Sequence, residues 1–297
     1  MSDCPVLSVV IAVREGPANL PAWLEILDRG GRDAEVLFVC AGDVPDELRH
    51  GTVAAISCPE DTLIPSLWSR GIRMARGHGV ALTTSQFIPD PEWLARLAEA
   101  DLTRWVGVGG AIDNDPQASA ANWAVFFLRY SAFMPPLAIG EAHEIAADNA
   151  IYRRTAIVAH SDLLAHGFWE PSFHRRFRAE GLKLCLNPSL VLVHRGTLTP
   201  QSFARQRRLH GRAYGIERAE RSGLATNMVL LLTSPLVTPV LLARVVRRIS
   251  RQPQYRTKLL RAFPWLLRFT FSWAAGETSG YAAVLARRMR RQQSIGA

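Results

Sequence analysis

The stretch LSVVIAVREGPANLPAWLEIL, residues 7–27, decides the fold. Its first seven residues form an apolar run that reads as a strand buried on both faces. A polar turn follows, and then Leu20, Trp23, Leu24 and Leu27 recur at helical spacing. A second run, EVLFVC at 35–40, ends in Ala41-Gly42-Asp43. Runs buried on both faces and separated by helices imply a parallel sheet with helices on each side. Short apolar or β-branched segments at 52–56, 80–84 and 106–112, with helices expected at 67–76 and 91–100, continue the rhythm. Such a Rossmann-like α/β half gathers ligands at the carboxyl ends of its strands. Binding residues are therefore expected in the turns after Val13, Cys40 and Thr83.

The chain has 297 residues, 48% of them hydrophobic, which is enough for one large core or two modest ones and excludes a disordered or fibrous protein. Its four cysteines, Cys4, Cys40, Cys58 and Cys185, show no C-x-x-C spacing, and the start MSDCPVLSVV lacks the layout of a secretion signal. Buried thiols in a reducing, cytoplasmic setting are the expectation. The net charge of +9 is unevenly divided: residues 1–199 carry 17 Lys and Arg against 23 Asp and Glu, whereas residues 200–297 carry 18 against 3. That asymmetry points to an anionic partner, nucleic acid or an anionic membrane. The basic residues of the last third alternate with long apolar runs and form no aromatic-studded solvated groove, so nucleic acid is set aside.

From residue 122 the texture changes. NWAVFFLRYSAFMPPL is aromatic and irregular, AADNAIYRR holds a short apolar strand, and GFWEPSFHRRFRAEGLKL reads as a loop entering an amphipathic helix that ends at Gly181, ahead of a strand at 189–194. After Thr199 come a strongly basic helix at 201–223, the uncharged NMVLLLTSPLVTPVLLA flanked by RVVRR, and an apolar stretch with Trp265, Trp273 and arginines at its borders. The 17 uncharged residues, interrupted by Pro235 and Pro239, fall short of the ~20 that a ~30 Å hydrocarbon layer requires. Helices lying on or re-entering a membrane surface fit better, with Trp and Arg as interfacial anchors. Core helices of a helical domain, or faces buried in a homo-oligomer, are the alternatives. Two domains are expected, 1–199 and 200–297, without internal repeats.

Taken in order and spacing, LSVVIAVREGPANLPAWLEIL, EVLFVCAGD, GIRMARG before a strand, PDPEWL, NAIYRR and GFWE-x3-H-x-R-F-x3-G resemble the inverting family-2 glycosyltransferases of the GT-A fold, over roughly residues 6–196. The C-terminal helices resemble the membrane-interface helices many members carry. The resemblance implies a Rossmann-like mixed sheet with helices on both faces. It also implies a nucleotide-sugar donor, a lipid-linked or cell-envelope glycan acceptor, and a peripheral or monotopic place at the cytoplasmic face of the inner membrane.

It further implies that Arg14, Glu15 and Asp43 stand at the nucleotide, with Cys40 where members place an aspartate against the base; Asp43 beside Gly42 also fits a plain turn residue. The stretch VALTTSQFIPDPEWL, residues 80–94, aligns with the family's D-x-D, whose carboxylates hold Mg or Mn against the sugar-nucleotide diphosphate. Here Thr84, Ser85 and Gln86 offer only neutral oxygens, whereas hard cations favour anionic ones. Three readings stay open. Gln86 and His194 hold a metal; or Arg70 and Arg73, on the helix leading to this strand, clamp the diphosphate without one; or the chain no longer catalyses transfer and scaffolds or activates a partner transferase. Inverting transfer needs a carboxylate to take the acceptor's proton, and the matching residue is Glu170 in Trp169-Glu170-Pro171. A plain helix-start glutamate fits the same position. Asp148 and Asn149 match the acceptor side, and Trp169 is suited either to stacking on a sugar ring or, more simply, to burial as a core tryptophan. His194 matches a histidine near metal or diphosphate, or is a structural strand-end residue. Gln206-Arg207-Arg208 only loosely resembles the Q-x-x-R-W element of processive synthases.

Overall fold

In a computed structural model of the chain, residues 6–14, 19–30, 34–49, 53–196 and 198–295 are described. They cluster into two compact units, one of residues 1–116 and 133–197, the other of 117–132 and 198–297. The second unit is thus discontinuous. It takes in residues 117–132, which the sequence places in the first domain.

The first unit begins with β1 (Leu7–Val13), α1 (Leu20–Gly30), β2 (Ala34–Ala41), the single-turn α2 (Asp46–Arg49), β3 (Ala54–Cys58), α3 (Ile64–Met74) and β4 (Gly79–Thr84). It continues through β5 (Phe87–Pro89), α4 (Trp93–Ala98) and β6 (Gly107–Asn114). α5 (Ala120–Tyr130) belongs to the second unit. The first unit then resumes with β7 (Gly140–Ala142), a 3-10 turn at Ala147–Asn149, β8 (Ala150–Arg153), α6 (Arg154–Val158), α7 (Ser161–Ala165), α8 (Glu170–Ala179) and β9 (Leu184–His194). Among the described residues these strands make one nine-stranded mixed sheet in the order β3-β2-β1-β4-β8-β6-β9-β5, with β7 also on β9. β1 runs parallel to β2 and β4, and β6 parallel to β9; β8 is antiparallel to both β4 and β6. The carboxyl ends of β1, β4, β6 and β9 therefore share one edge with the start of β8. β1 and β4 are buried at every position, as the unbroken apolar runs require. Val10, Trp68, Leu82, Tyr152, Phe168 and Phe173 lie in the main core.

Two features depart from the sequence reading. The stretch after β4 does not pass directly from turn to helix, because Phe87–Pro89 pairs antiparallel with the end of β9. β9 also starts at Leu184 rather than 189, and its register against β6 shifts between Gly110 and Ala111. The bulge needs a glycine: a Cβ on Gly110 would stand 2.2 Å from the Leu190 carbonyl oxygen and 2.4 Å from Asn149 Nδ2.

The second unit is helical: α5, α9 (Pro200–Glu220), α10 (Leu224–Thr233), a 3-10 turn at Ser234–Leu236, α11 (Val237–Ile249), a 3-10 turn at Pro253–Tyr255, and α12 (Arg256–Ile295). The segment around Trp123, read from sequence as irregular, is the helix α5. The Ser119 side chain caps it by accepting from Asn122 N at 3.2 Å. α9 and α12 run parallel and touch through their backbones. A Cβ on Gly215 would lie 2.4 Å from Glu277 O, and one on Gly276 would lie 2.0 Å from Arg208 O. Gly211 and Gly280 are equally tight, at 2.3 Å from Trp273 O and 2.5 Å from Arg212 O. α10 and α11 form the return stroke, tied to α12 where Thr278 Oγ1 donates to Ser234 Oγ at 2.7 Å. Pro235 and Pro239 fall in first turns, where a missing N–H removes no bond, so the helical run Leu224–Ile249 continues for 26 residues. Its most apolar window has a mean hydropathy of 2.0 and is only 17% buried. By length and composition it is enough to cross a membrane, where the sequence suggested two shorter pieces.

Candidate functional site

Of the sequence-predicted residues, Arg14, Asp43, Thr84, Ser85, Gln86, Asp148, Glu170 and His194 lie towards the edge shared by the carboxyl ends of the parallel strands. Arg14 continues β1, partly exposed. Its partner Glu15 lies outside the described residues. Asp43 follows β2 in an exposed turn made by Gly42 at φ 88°, a left-handed value that favours glycine. Cys40, at the end of β2, is buried, and burial with Cys58 close by pushes its thiol up to about 11. It is a packed thiol and no acceptor for a base. Cys185 is buried as expected, Cys58 is only partly so, and Cys4 is outside the described residues.

The turn Thr84-Ser85-Gln86 ends β4, and its side chains are 4%, 0% and 7% exposed. Its backbone is held from three directions. Ser85 N donates to Ala12 O at 3.0 Å, Asn19 Nδ2 donates to Ser85 O at 2.9 Å, and Arg195 N donates to Gln86 O at 2.8 Å. Within the turn, Thr84 Oγ1 accepts from Gln86 N at 3.3 Å. Burial explains why this centre carries no charge. A carboxylate at these buried positions would lose its hydration, whereas neutral hydroxyl and amide groups need only short-range hydrogen bonds.

A divalent cation is poorly served by this donor set. His194 is 1% exposed, its Nδ1 lies 3.1 Å from Asn114 Oδ1, and its ring meets Phe87 edge-on at 5.4 Å. A Cβ on Gly196 would stand 2.8 Å from its Nε2. Gln86 adds one neutral oxygen. Of the carboxylates ending β6, Asp115 pairs with Arg195 Nε at 3.1 Å and Asp113 accepts from Asn114 N at 2.8 Å. No group of three or more His, Cys, Asp or Glu suited to a metal occurs among the described residues. The pairing of Gln86 with His194 as metal ligands therefore gains no cluster of His, Cys, Asp or Glu ligands among the described residues.

The proposed arginine clamp is also placed differently. Trp68 Nε1 donates to Thr83 O at 2.8 Å, while Arg76 Nε pairs at 2.7 Å with Glu35 at the start of β2. α3 thus runs from the carboxyl edge towards the amino edge. Arg73 lies five residues past Trp68, about 7.5 Å further from the turn along the axis. Both Arg70 and Arg73 are exposed, on the side of α3 away from Leu67, Trp68 and Ile72. The arginines that flank the turn are Arg14 and Arg195, the latter missed from sequence because it follows the strand-end His194 and belongs to no quoted motif.

On the acceptor side, Asn149 is a brace. It is fully buried, its Oδ1 accepts from Trp93 Nε1 at 2.9 Å, and its Nδ2 donates to Ala111 O at 2.8 Å and Leu190 O at 3.1 Å. With those bonds it joins α4, β6 and β9, which corrects its assignment to an acceptor pocket. Asp148, 8% exposed, stands in the 3-10 turn Ala147–Asn149 that leads into β8 and packs against β4. Glu170 opens α8, and its Oε1 accepts from Ala147 N at 3.2 Å, which draws α8 to the same corner. Trp169 is 45% exposed and its Nε1 donates to His166 O at 3.0 Å, leaving the indole face towards solvent. Behind them, buried Tyr152 and His174 meet at 3.0 Å, and His174 Nδ1 meets Glu144 Oε2 at 2.5 Å. Burial first, then the charges of Glu170, Glu144 and Asp148, push the Tyr152 phenol well above its ordinary value. The arrangement therefore sets a glutamate and an aspartate beside an uncharged turn with an arginine on either side. Those groups can accept a proton at one point and face an anion at another.

No family model and no curated protein matches the chain. Among solved structures it resembles the mannosyltransferase PcManGT from Pyrobaculum calidifontis, solved in complex with GDP-Man and Mn2+, with a TM-score of 0.54 at 14% identity, over 93% of this chain and 88% of that one. The nine-stranded mixed sheet with its helices is thus a glycosyltransferase fold.

Proposed function

We propose that the chain is an inverting, family-2-like glycosyltransferase that moves a sugar from a nucleotide sugar to a lipid-linked or cell-envelope glycan acceptor, working at the cytoplasmic face of the inner membrane. One observation carries the reading: Glu170, at the start of α8, is tied to Ala147 N and so stands beside Asp148 at the carboxyl edge of a glycosyltransferase-type sheet. Glu170 takes the proton of the acceptor hydroxyl as its oxygen bonds to the anomeric carbon and the bond from that carbon to the diphosphate breaks on the opposite face. Arg14 and Arg195 meet the charge on the departing diphosphate, a role for which guanidinium geometry is suited. Trp169 offers its exposed face to a sugar ring. Mannose from GDP-mannose is the first donor to test, given the neighbour's ligand. The exposed apolar run of α10 and α11, in a unit whose C-terminal part carries 18 basic residues against 3 acidic, supports seating on an anionic membrane.

Glu170→Gln tests the assignment. Affinity for the nucleotide sugar by calorimetry should stay within about twofold, while turnover falls by roughly 10²–10⁴, the usual contribution of a positioned base. Unchanged turnover removes Glu170 from the mechanism.

A second reading is favoured by the buried, carboxylate-free turn: a silent homologue that supports a partner transferase. It predicts no heat of binding with GDP-, UDP- or dTDP-sugars, with or without Mn²⁺. Saturable binding of any of them eliminates it.

A further inference from the structure

The helical unit holds a cavity of about 460 Å³ whose walls differ in character. Arg207 and Arg218 line it from α9; Leu236, Val240 and Arg244, spaced four residues apart, line it from the α11 stroke, where Leu236 and Val240 are 60% and 53% exposed and continue into the apolar run of α10 and α11. The acid on the wall, Glu277, is 3% exposed and already engaged: Trp273 Nε1 donates to it at 2.9 Å, Tyr281 OH at 2.5 Å, and Arg218 Nη1 stands 3.9 Å away. Arg218 and Glu277 therefore balance, and Arg207 and Arg244 remain as surplus charge.

Neither of those two makes an ion pair among the described residues. Arg207 lies over the Trp273 ring at 4.2 Å, and its Nε finds no hydrogen-bond partner there. Burial, with Arg129 facing it, draws its guanidinium down to about 10, which leaves it charged at neutral pH. A half-buried guanidinium held on an aromatic face with an idle donor is a poor way to stabilise a fold and a good way to meet an anion. Arg244 also lines a second cavity of about 370 Å³, shared with Arg247, Arg248 and Arg251 and containing no acid. A ligand matching these walls carries phosphate oxygens at one end and hydrocarbon at the other.

We propose that the helical unit binds a phosphate-bearing lipid, its headgroup between Arg207 and Arg244 and its chain along Leu236 and Val240. The proposal rests on the membrane seating inferred above and is independent of the transferase site. Charge complementarity sets the headgroup, and continuity of the cavity with the exposed apolar face sets the hydrocarbon, so a lipid is favoured over free phosphate.

The test is flotation of the full chain with three vesicles: phosphatidylcholine alone, phosphatidylcholine with phosphatidic acid, and phosphatidylcholine with oleate at matched surface charge. Phosphatidic acid should bind best. Arg207→Gln and the exposed Arg244→Gln should each weaken that binding roughly tenfold, the size of one charge-assisted hydrogen bond, while Arg261→Gln, an equal loss of charge on α12 outside the cavity lining, should change it less than twofold. Binding to phosphatidylcholine should be the same in all variants. Equal binding to phosphatidic acid and oleate, or equal effects of the three substitutions, overturns the pocket while leaving membrane seating intact. Failure to float with any vesicle overturns both. Release by millimolar inorganic phosphate replaces the lipid with free phosphate as the occupant.

Discussion

At the scale of single residues, the charge that faces a diphosphate is set by which arginines reach the turn at 84–86. Arg14 extends the strand that pairs with β4, and Arg195 donates its backbone N–H to Gln86, whereas Arg73 lies on the outer face of a helix leading away. Arg14→Ala and Arg195→Ala should each weaken nucleotide-sugar binding by roughly tenfold or more, as expected on removing a charge-assisted contact, and Arg73→Ala should leave it within about twofold. Calorimetry decides; the opposite ranking would return the clamp to α3. Much of the corner was legible in the sequence, because Asp148, Trp169 and Glu170 stand in motifs of fixed order. What stayed hidden depends on directions that spacing does not encode. Asn149 reads as polar and available until its three partners are seen, and Asn19, which bridges Ser85 O and Arg195 O, carries no local signal for either contact.

At the scale of elements, α8 is held to the sheet by its buried histidine. Burial alone would push the Glu144 carboxyl up, but the hydrogen bond and charge of His174, followed by those of Arg178, hold it below the usual 4.5. Since the folded carboxyl is the stronger acid, the stability it lends is complete above about 4.5 and is lost as pH falls through the lower folded value. The gap in Tm between the parent and Glu144→Gln should therefore be widest near neutrality and close as the solution is acidified below 4.5. A gap independent of pH would show that the charge plays no part. Elements with one period throughout, β1, β2 and β4, could be read from sequence to within a residue or two. α5 could not: it is apolar around most of its girth, with Trp123, Phe126 and Phe127 all buried, so the periodicity that marks a surface helix is missing. β5 is three residues long and exists only because β9 is beside it.

At the scale of the whole molecule, the chain leaves its sheet at residue 117, contributes α5 to the helical unit, and returns at 133. Truncation after residue 199 therefore removes the partners of α5 and bares Trp123, Phe126 and Phe127. That fragment should bind a hydrophobic dye and elute as aggregates, and a monodisperse, dye-silent fragment would mean that α5 finds other cover. The four glycines between α9 and α12 have a consequence for motion. Because backbone lies on backbone at two successive turns of both helices, sliding by one turn, ~5.4 Å, would drive side chains such as those of Arg208 and Arg212 into the facing main chain. Only one axial position is sterically allowed, so the pair cannot ratchet and must move as one rod. The amides of 208–216 and 273–281 should then exchange with solvent together and only through unfolding of the unit, and Gly276→Ala should speed both stretches alike by prising the rod apart. Fast exchange in one helix while the other stays protected would show that the two slide after all.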